Sequence, residues 1–179
     1  MTVTTVLVVY TTLVATLALG ISLLILRLLP VRTPLPAGGA VSLPASGPDV
    51  ASPAPPIRAR TSTAALLDTA ELAGRSYLLA FLSSSCQGCR AALPAMTNYA
   101  SQLPGDQRLI AVIVGDPRRG ADIERQLAQV ATIVSEPEGG PIAAAYRIAV
   151  FPSYVLVSET GTVLATGQSV LDLPQPQPQ

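Results

Sequence analysis

No charged side chain occurs between Met1 and Leu26, and from Val6 to Leu29 the chain is mostly Leu, Val, Ile, Ala and Thr, broken only by Arg27. A backbone surrounded by hydrocarbon must satisfy its own N–H and C=O groups, so such a run is stable there as a helix. About 20 apolar residues cross a hydrocarbon layer of roughly 30 Å. Residues 1–29 therefore read as one transmembrane anchor, a single pass. A cleaved signal peptide fits less well, because no basic n-region precedes the run and the run is longer than the usual h-region. Arg27 and Arg32 flank its carboxyl end, and a literal positive-inside count places the following domain in the cytoplasm. Two arginines are a small bias, and long domains are translocated despite it.

Proline then divides the chain. Eight prolines fall between Pro30 and Pro56, mixed with Gly, Ala and Ser and almost no charge. This composition builds no core and favours extended polyproline-II stretches, so residues 30–60 read as a semi-rigid spacer.

The globular part is expected over residues 61–173. Ser76 to Ser83 is a continuous apolar run of strand length, as for a strand covered on both faces. Leu93, Met96, Ala100 and Leu103 recur at helical spacing. Leu109 to Val114 gives a second buried strand, ended by Gly115-Asp116-Pro117. Ile123, Leu127 and Val130 mark another helical face, Ala131 to Val134 a short strand, and Pro141 to Tyr146 a short helix. Ser153 to Val157 and Thr162 to Thr166 flank Glu159-Thr160-Gly161 and predict a hairpin. Strands alternating with helices and closing on a hairpin indicate an α/β layered sheet. Residues 174–179, PQPQPQ, read as a flexible tail.

Composition removes most chemistries. The chain has 11 basic residues, all arginine, 11 acidic ones and no histidine. Without a basic patch, nucleic acid is not expected as a partner. Without histidine there is no Ser-His or Cys-His nucleophile pair, no histidine metal site and no C-x-x-C-H haem attachment. The 2 cysteines cannot fill a four-coordinate zinc site within one chain. No metal and no cofactor are expected, and thiol redox chemistry remains.

Both cysteines, Cys86 and Cys89, lie in C-Q-G-C directly after the first buried strand, where a helix begins. The unpaired N–H groups and dipole of a helix amino terminus favour an anion, so the Cys86 thiolate is stabilised there. Cys89, one turn further in, is more shielded but close enough to close a disulfide. Cys86 is thus the attacking sulfur, and Cys89 resolves the mixed disulfide. Two bland readings compete: small buried hydrophobes, or a static staple, which over so short a loop adds little stability. Arg90 is expected to point to solvent, as long side chains on helices usually do.

With these residues in place, the sequence resembles the thioredoxin superfamily over most of Ala64 to Gly167. The strand LLAFLSSS, the C-Q-G-C pair and Pro94, eight residues after Cys86, match the first active-site helix, which the family kinks there. Tyr146 to Val157 resembles the segment in which a cis-proline faces the disulfide, and Glu159-Thr160-Gly161 resembles the turn between the last two strands. Anchor, proline spacer and FLSSSC-x-x-C together look most like membrane-anchored TlpA-type disulfide reductases, of the subgroup of the methylamine dehydrogenase accessory protein MauD. The resemblance implies a thioredoxin-like fold, a central mixed sheet flanked by helices. It also implies a cis Pro152 beside Cys86, helping to present substrate backbone, and client contacts from Gln87, Gly88, Phe151 and Pro152. The partners implied are a disulfide-containing client protein and an upstream membrane dithiol donor. Departures accompany the match: Ala80 and Ala92 occupy positions where relatives carry acids, leaving water or a distant acid such as Asp116 to move the Cys89 proton. The last family helix is missing.

A peroxiredoxin would need a proline and a hydroxyl seven and three residues before its reactive cysteine, and Leu79 and Ser83 stand there. The remaining alternative is a non-enzymatic, membrane-anchored assembly or binding factor. Because disulfides form outside the cytoplasmic membrane, the domain is expected on the extracytoplasmic side, despite its arginines.

Overall fold

The computed structural model describes residues 3–28, 46–103 and 108–175. The chain divides into two compact units, Met1–Ser42 and Leu43–Gln179. Residues 30–45 of the expected spacer and 176–179 of the expected tail lie outside the described residues.

The described part of the first unit is one helix, α1, Val3–Leu28. The hydroxyls on it bond inward: Thr12 Oγ1 donates to the Val8 carbonyl at 3.0 Å, and Thr16 Oγ1 lies 2.9 Å from the Leu13 carbonyl. Its large apolar side chains face outward, among them Val8, Tyr10, Leu13, Leu17 and Ile21. Side chains are described only for Val8, Tyr10 and residues 12–22, and among the described residues no helix is long and apolar enough to cross a membrane. The 26-residue backbone helix is about 39 Å long at 1.5 Å per residue.

The second unit is built on a five-stranded mixed sheet. In chain order it contains β1 (Arg58–Arg60), β2 (Leu66–Asp68), β3 (Tyr77–Ser83), α2 (Gln87–Ser101) and β4 (Arg108–Val114). These are followed by α3 (Pro117–Leu127), β5 (Thr132–Glu136), α4 (Pro141–Ala145), β6 (Ser153–Val157) and β7 (Val163–Gly167). The sheet order is β5-β4-β3-β6-β7, with β3, β4 and β5 parallel and β6 and β7 antiparallel to their neighbours. A separate hairpin pairs β1 with β2.

The apolar run of β3 has a simple cause. Successive side chains of a strand point to opposite faces, and both faces here are covered. Leu78, Ala80 and Leu82 join α2 and α3 in one core with Cys89, Leu93, Met96, Tyr99, Ile123 and Leu127. Tyr77, Leu79 and Phe81 join the other core with Ile142 and Tyr146 of the α4 region and Ile57. The ring centroids of Phe81 and Tyr146 lie 5.3 Å apart. The α2 face therefore carries the helical spacing of Leu93 and Met96, but the buried position that follows them is Tyr99 rather than Ala100.

The turns follow residue chemistry. Gly115 leaves β4 at φ 115°, where a side chain would be strained and would also meet the Ser84 hydroxyl. Asp116 caps α3 by accepting from the Arg118 N–H at 2.9 Å, and Pro117 takes the first turn. Among the described residues no α-helix follows β7; a single 3-10 turn at Val170–Asp172 buries Val170 and Leu173 against α2 instead. Tyr99 Oη donates to the Pro174 carbonyl at 2.7 Å and pins the start of the expected tail.

The spacer boundary needs correction. Residues 46–60, expected to be spacer, are fastened to the domain as a strap. The Ala51 N–H donates to the Val163 carbonyl at 2.8 Å, and the Val163 N–H to the Ser52 carbonyl at 2.9 Å, along the free edge of β7. Ile57, 2% exposed, enters the core, and its N–H and C=O are both held by Thr69. The Tyr146 hydroxyl donates to the Pro55 carbonyl at 2.7 Å. Prolines are compatible with this because an edge needs only some of its N–H groups. At its start, Ser46 Oγ accepts from the N–H groups of Ala149 and Val150, 3.1 and 3.3 Å away, and lies 3.2 Å from Ser153 Oγ.

Candidate functional site

Strand β3 delivers the chain to the carboxyl end of the parallel strands, and Ser83, Ser84 and Ser85 carry it to Cys86. Cys86 takes an extended conformation, φ −85° and ψ 113°, and caps α2. Its Sγ accepts from the Cys89 N–H at 3.0 Å, so the helix terminus presents a donor to this sulfur. The two cysteines form a disulfide, with Cα atoms 5.3 Å apart. Cys86 is half-buried while Cys89 is fully enclosed, so an attacking thiolate reaches Cys86 first.

The expected site residues converge around this sulfur. The Phe151–Pro152 peptide is cis, and the Phe151 carbonyl oxygen lies 3.6 Å from Cys86 Sγ. Gln87 and Gly88 are exposed on the first turn of α2, and Phe151 and Pro152 are half-buried. A Cβ on Gly88 would sit 3.8 Å from Cys86 Sγ, so glycine leaves that flank of the sulfur open. Pro94 lies within α2, on its exposed side.

Arg90 does not point to solvent. Its Nε and Nη2 bind the two carboxylate oxygens of Asp122 on α3, at 2.7 and 3.1 Å. Nη2 also donates to the carbonyls of Ser84 and Arg119, at 3.0 and 2.7 Å, and Nη1 lies 3.5 Å from the Cys86 carbonyl. The planar, five-donor guanidinium satisfies several acceptors at once, which a solvent-facing position would leave to water. Opposite it, Gly120 permits close approach of α3: a Cβ there would lie 2.9 Å from Ile113 Cγ2 and 3.6 Å from Ser84 Cβ. No i,i+4 partner signals this clamp, because Asp122 lies 32 residues away.

The clamp has a pH signature. The hydrogen bond from Arg90 holds the Asp122 carboxyl below the usual range. A lowered folded-state value gives stability that is fully present above the ordinary aspartate value of about 3.9 and lost as pH falls through the folded one. Urea midpoints of the wild-type chain and Asp122→Asn are expected to differ at neutral pH and to converge in acid. A gap independent of pH would show that ionisation of this pair contributes nothing.

No carboxylate is brought to the disulfide among the described contacts. Ala80 is fully buried in the same core as Cys89, and Asp116 is engaged as the cap of α3. The nearest buried acid in sheet register is Glu136, two strands over, where Ser83 pairs Val114 and Val114 pairs Glu136. Its carboxylate accepts from the N–H groups of Ile142 and Ala143, at 2.9 and 2.8 Å, and so is held by α4. Tyr154, the cross-strand partner of Ala80, is 1% exposed and its hydroxyl has no hydrogen-bond partner. Burial pushes its pKa up to about 12. Sequence reading passed over Tyr154 as one more apolar residue of a strand. Among the described residues no group of three or more His, Cys, Asp or Glu side chains could hold a metal ion. A cleft of about 370 Å³ lies elsewhere, at the opposite end of the sheet, where Arg108 and Thr132 begin β4 and β5.

No protein-family model matches the chain. No curated protein matches it either. Solved structures do resemble it. The thioredoxin domain of a thiol-disulfide oxidoreductase from Bacteroides vulgatus superposes with a TM-score of 0.58 at 20% identity, covering 70% of this chain and 93% of that one. A thiol-disulfide oxidoreductase from Bacteroides fragilis gives 0.58 at 18% identity, with 69% and 91% covered. A secreted Mycobacterium tuberculosis disulfide oxidoreductase homologous to E. coli DsbE gives 0.55 at 22% identity, with 63% and 83% covered. At these identities the likeness is one of fold, and on that ground the second unit is a thioredoxin-like α/β domain with a cysteine pair at the head of its first long helix.

Proposed function

We propose that this chain is a membrane-tethered thiol-disulfide oxidoreductase that reduces or exchanges disulfides in exported client proteins. One observation carries the reading: a half-buried Cys86 caps a helix, joined to a buried Cys89, with the cis Phe151–Pro152 bond across from it. A client thiolate attacks Cys86 and expels Cys89; in the reverse direction Cys89 attacks Cys86 and releases the client. The helix-terminal donor on Cys86 Sγ favours the thiolate that either direction requires. Gln87, Gly88, Phe151 and Pro152 surround the entry to Cys86 and supply the client contacts. The carbonyl of Phe151 and the open flank of Gly88 suit an extended peptide rather than a small molecule.

The tether is α1. Its full sequence carries no charge before Arg27, it is long enough to cross a bilayer, and the hydroxyls of Thr12 and Thr16 bond to its own backbone. A domain of this chemistry is useful where disulfides form, so the extracytoplasmic face is its place, and a membrane dithiol donor would keep it reduced. The subgroup of TlpA-type reductases related to MauD fits this combination.

Insulin reduction by the full-length chain in detergent, with dithiothreitol as reductant, tests the enzyme reading. Precipitation of the insulin B chain well above the dithiothreitol background is expected. Background rates from a protein that cycles normally between dithiol and disulfide would favour the non-enzymatic assembly factor. A carboxyl-terminal reporter active on one side of the membrane tests the location.

A further inference from the structure

The core around Cys89 contains one polar group that nothing in the fold explains. Tyr154 Oη is buried without a partner, in a chain whose other buried side-chain polar atoms are bonded among the described residues. Cross-strand partners share a face of the sheet, so Tyr154 and Ala80 both project toward α2. Both belong to the core that encloses Cys89, Met96 and Leu93. That core holds one other tyrosine, and the Tyr99 hydroxyl is already given to the Pro174 carbonyl. The charged pair that links α2 to α3, Arg90 and Asp122, is committed to itself and to backbone carbonyls. An unbonded buried hydroxyl is costly and is retained in native structures chiefly for a reason.

The reason lies in the other redox state. When a client thiolate attacks, a new S–S bond joins it to Cys86 Sγ, the Cys86–Cys89 bond breaks, and the electron pair leaves on Cys89 Sγ. The attacking sulfur is oxidised and the Cys89 sulfur reduced. That thiolate appears at a fully buried residue whose core, Ala80 included, holds no acidic or basic side chain, in a chain without lysine or histidine. A disulfide sulfur is a poor acceptor, whereas a thiolate is a strong one. We propose that Tyr154 is the hydrogen-bond donor to the Cys89 thiolate, directly or through one water, and that its hydroxyl stands idle only in the disulfide form. With its pKa pushed up to about 12, the phenol stays protonated and donates a hydrogen bond rather than taking a proton. The proton that Cys89 eventually receives or gives up is exchanged with solvent.

The inference rests on the oxidoreductase reading but is tested without a client. The full-length chain carrying Cys86→Ser has Cys89 as its lone thiol, whose titration is followed by thiolate ultraviolet absorbance. Adding Tyr154→Phe removes one hydroxyl at constant shape. The Cys89 titration is expected to move up by about one pH unit, a tenfold loss of thiolate, the size of one hydrogen bond to a charged group. Resolution of a preformed mixed disulfide, in Tyr154→Phe with both cysteines present, is expected to slow by about threefold, because the higher nucleophilicity of a more basic thiolate offsets part of the tenfold loss of thiolate. An unchanged titration overturns the proposal, including the case in which only the melting temperature moves, as a purely structural hydroxyl would give. Failed insulin reduction with a shifted titration would sink the client reading and leave the Tyr154 assignment standing.

Discussion

Cys89→Ser is expected to convert the chain from a catalyst into a trap. Cys86 still sits at the head of α2 with a donor on its sulfur and still attacks a client disulfide. The serine cannot displace the client, so the mixed disulfide persists until an external thiol removes it. Replacing an intramolecular attack by a bimolecular one removes the advantage of proximity, so turnover should fall on the order of 10³-fold or more. Cys86→Ser should fall as far without trapping anything, because Cys89 is enclosed and unreachable by a client. Non-reducing electrophoresis after mixing with insulin separates the two variants. Equal trapping by both, or full activity in either, would show that the order of attack assigned to this pair is wrong.

A second large effect is expected from the strap. A chain beginning at Thr61 lacks Ile57 and with it a side chain 2% exposed, the bridge from residues 51–52 to Val163, and the partner of the Tyr146 hydroxyl. Truncating a buried isoleucine alone costs about 2–5 kcal/mol. Each lost hydrogen bond adds about 1 kcal/mol, and more where a buried group such as Tyr146 Oη is left unpaired. Against a total of about 5–15 kcal/mol for a domain of this kind, the shortened chain should be largely unfolded. One starting at Leu43 should fold, and Ile57→Ala in that chain should lower stability by about 3 kcal/mol. Urea unfolding followed by circular dichroism compares them, and equal midpoints for the two starting points would show that the strap is passive.

These two effects also mark what the sequence could and could not convey. The buried strands were legible because Leu78 to Leu82 and Leu109 to Val114 are apolar on both faces, which only a strand covered twice requires. Cys86 and Pro152 were legible because their residue types have few other uses in such places. The strap was not, since Pro53, Pro55 and Pro56 carry the composition of a spacer and its attachment relies on backbone atoms and on the single isoleucine at 57. The β1–β2 hairpin, three residues a side, is too short to show a period. Arg90 and Tyr154 escaped for a different reason. Their roles come from residues brought together by topology, Asp122 across two helices and Ala80 across the sheet, and neither partner stands at a helical or strand spacing from them.

Because the strap is bonded to the domain from Ser46 onward, any spacer between α1 and the domain is no longer than residues 29–45, shorter than the proline content implies. Residues 29–45 number 17, counted from the end of α1 to Ser46, whereas the spacer expected from composition, 30–60, numbers 31. Covalent geometry limits the first to about 60 Å and the second to about 110 Å. Were α1 to hold the domain at a bilayer, as proposed, the volume within its reach would shrink by about sixfold, and its effective concentration toward partners in the same membrane would rise accordingly. The strap's first contacts are to the Ala149–Ser153 loop, which carries Pro152, so the chain enters the domain beside the cis-proline.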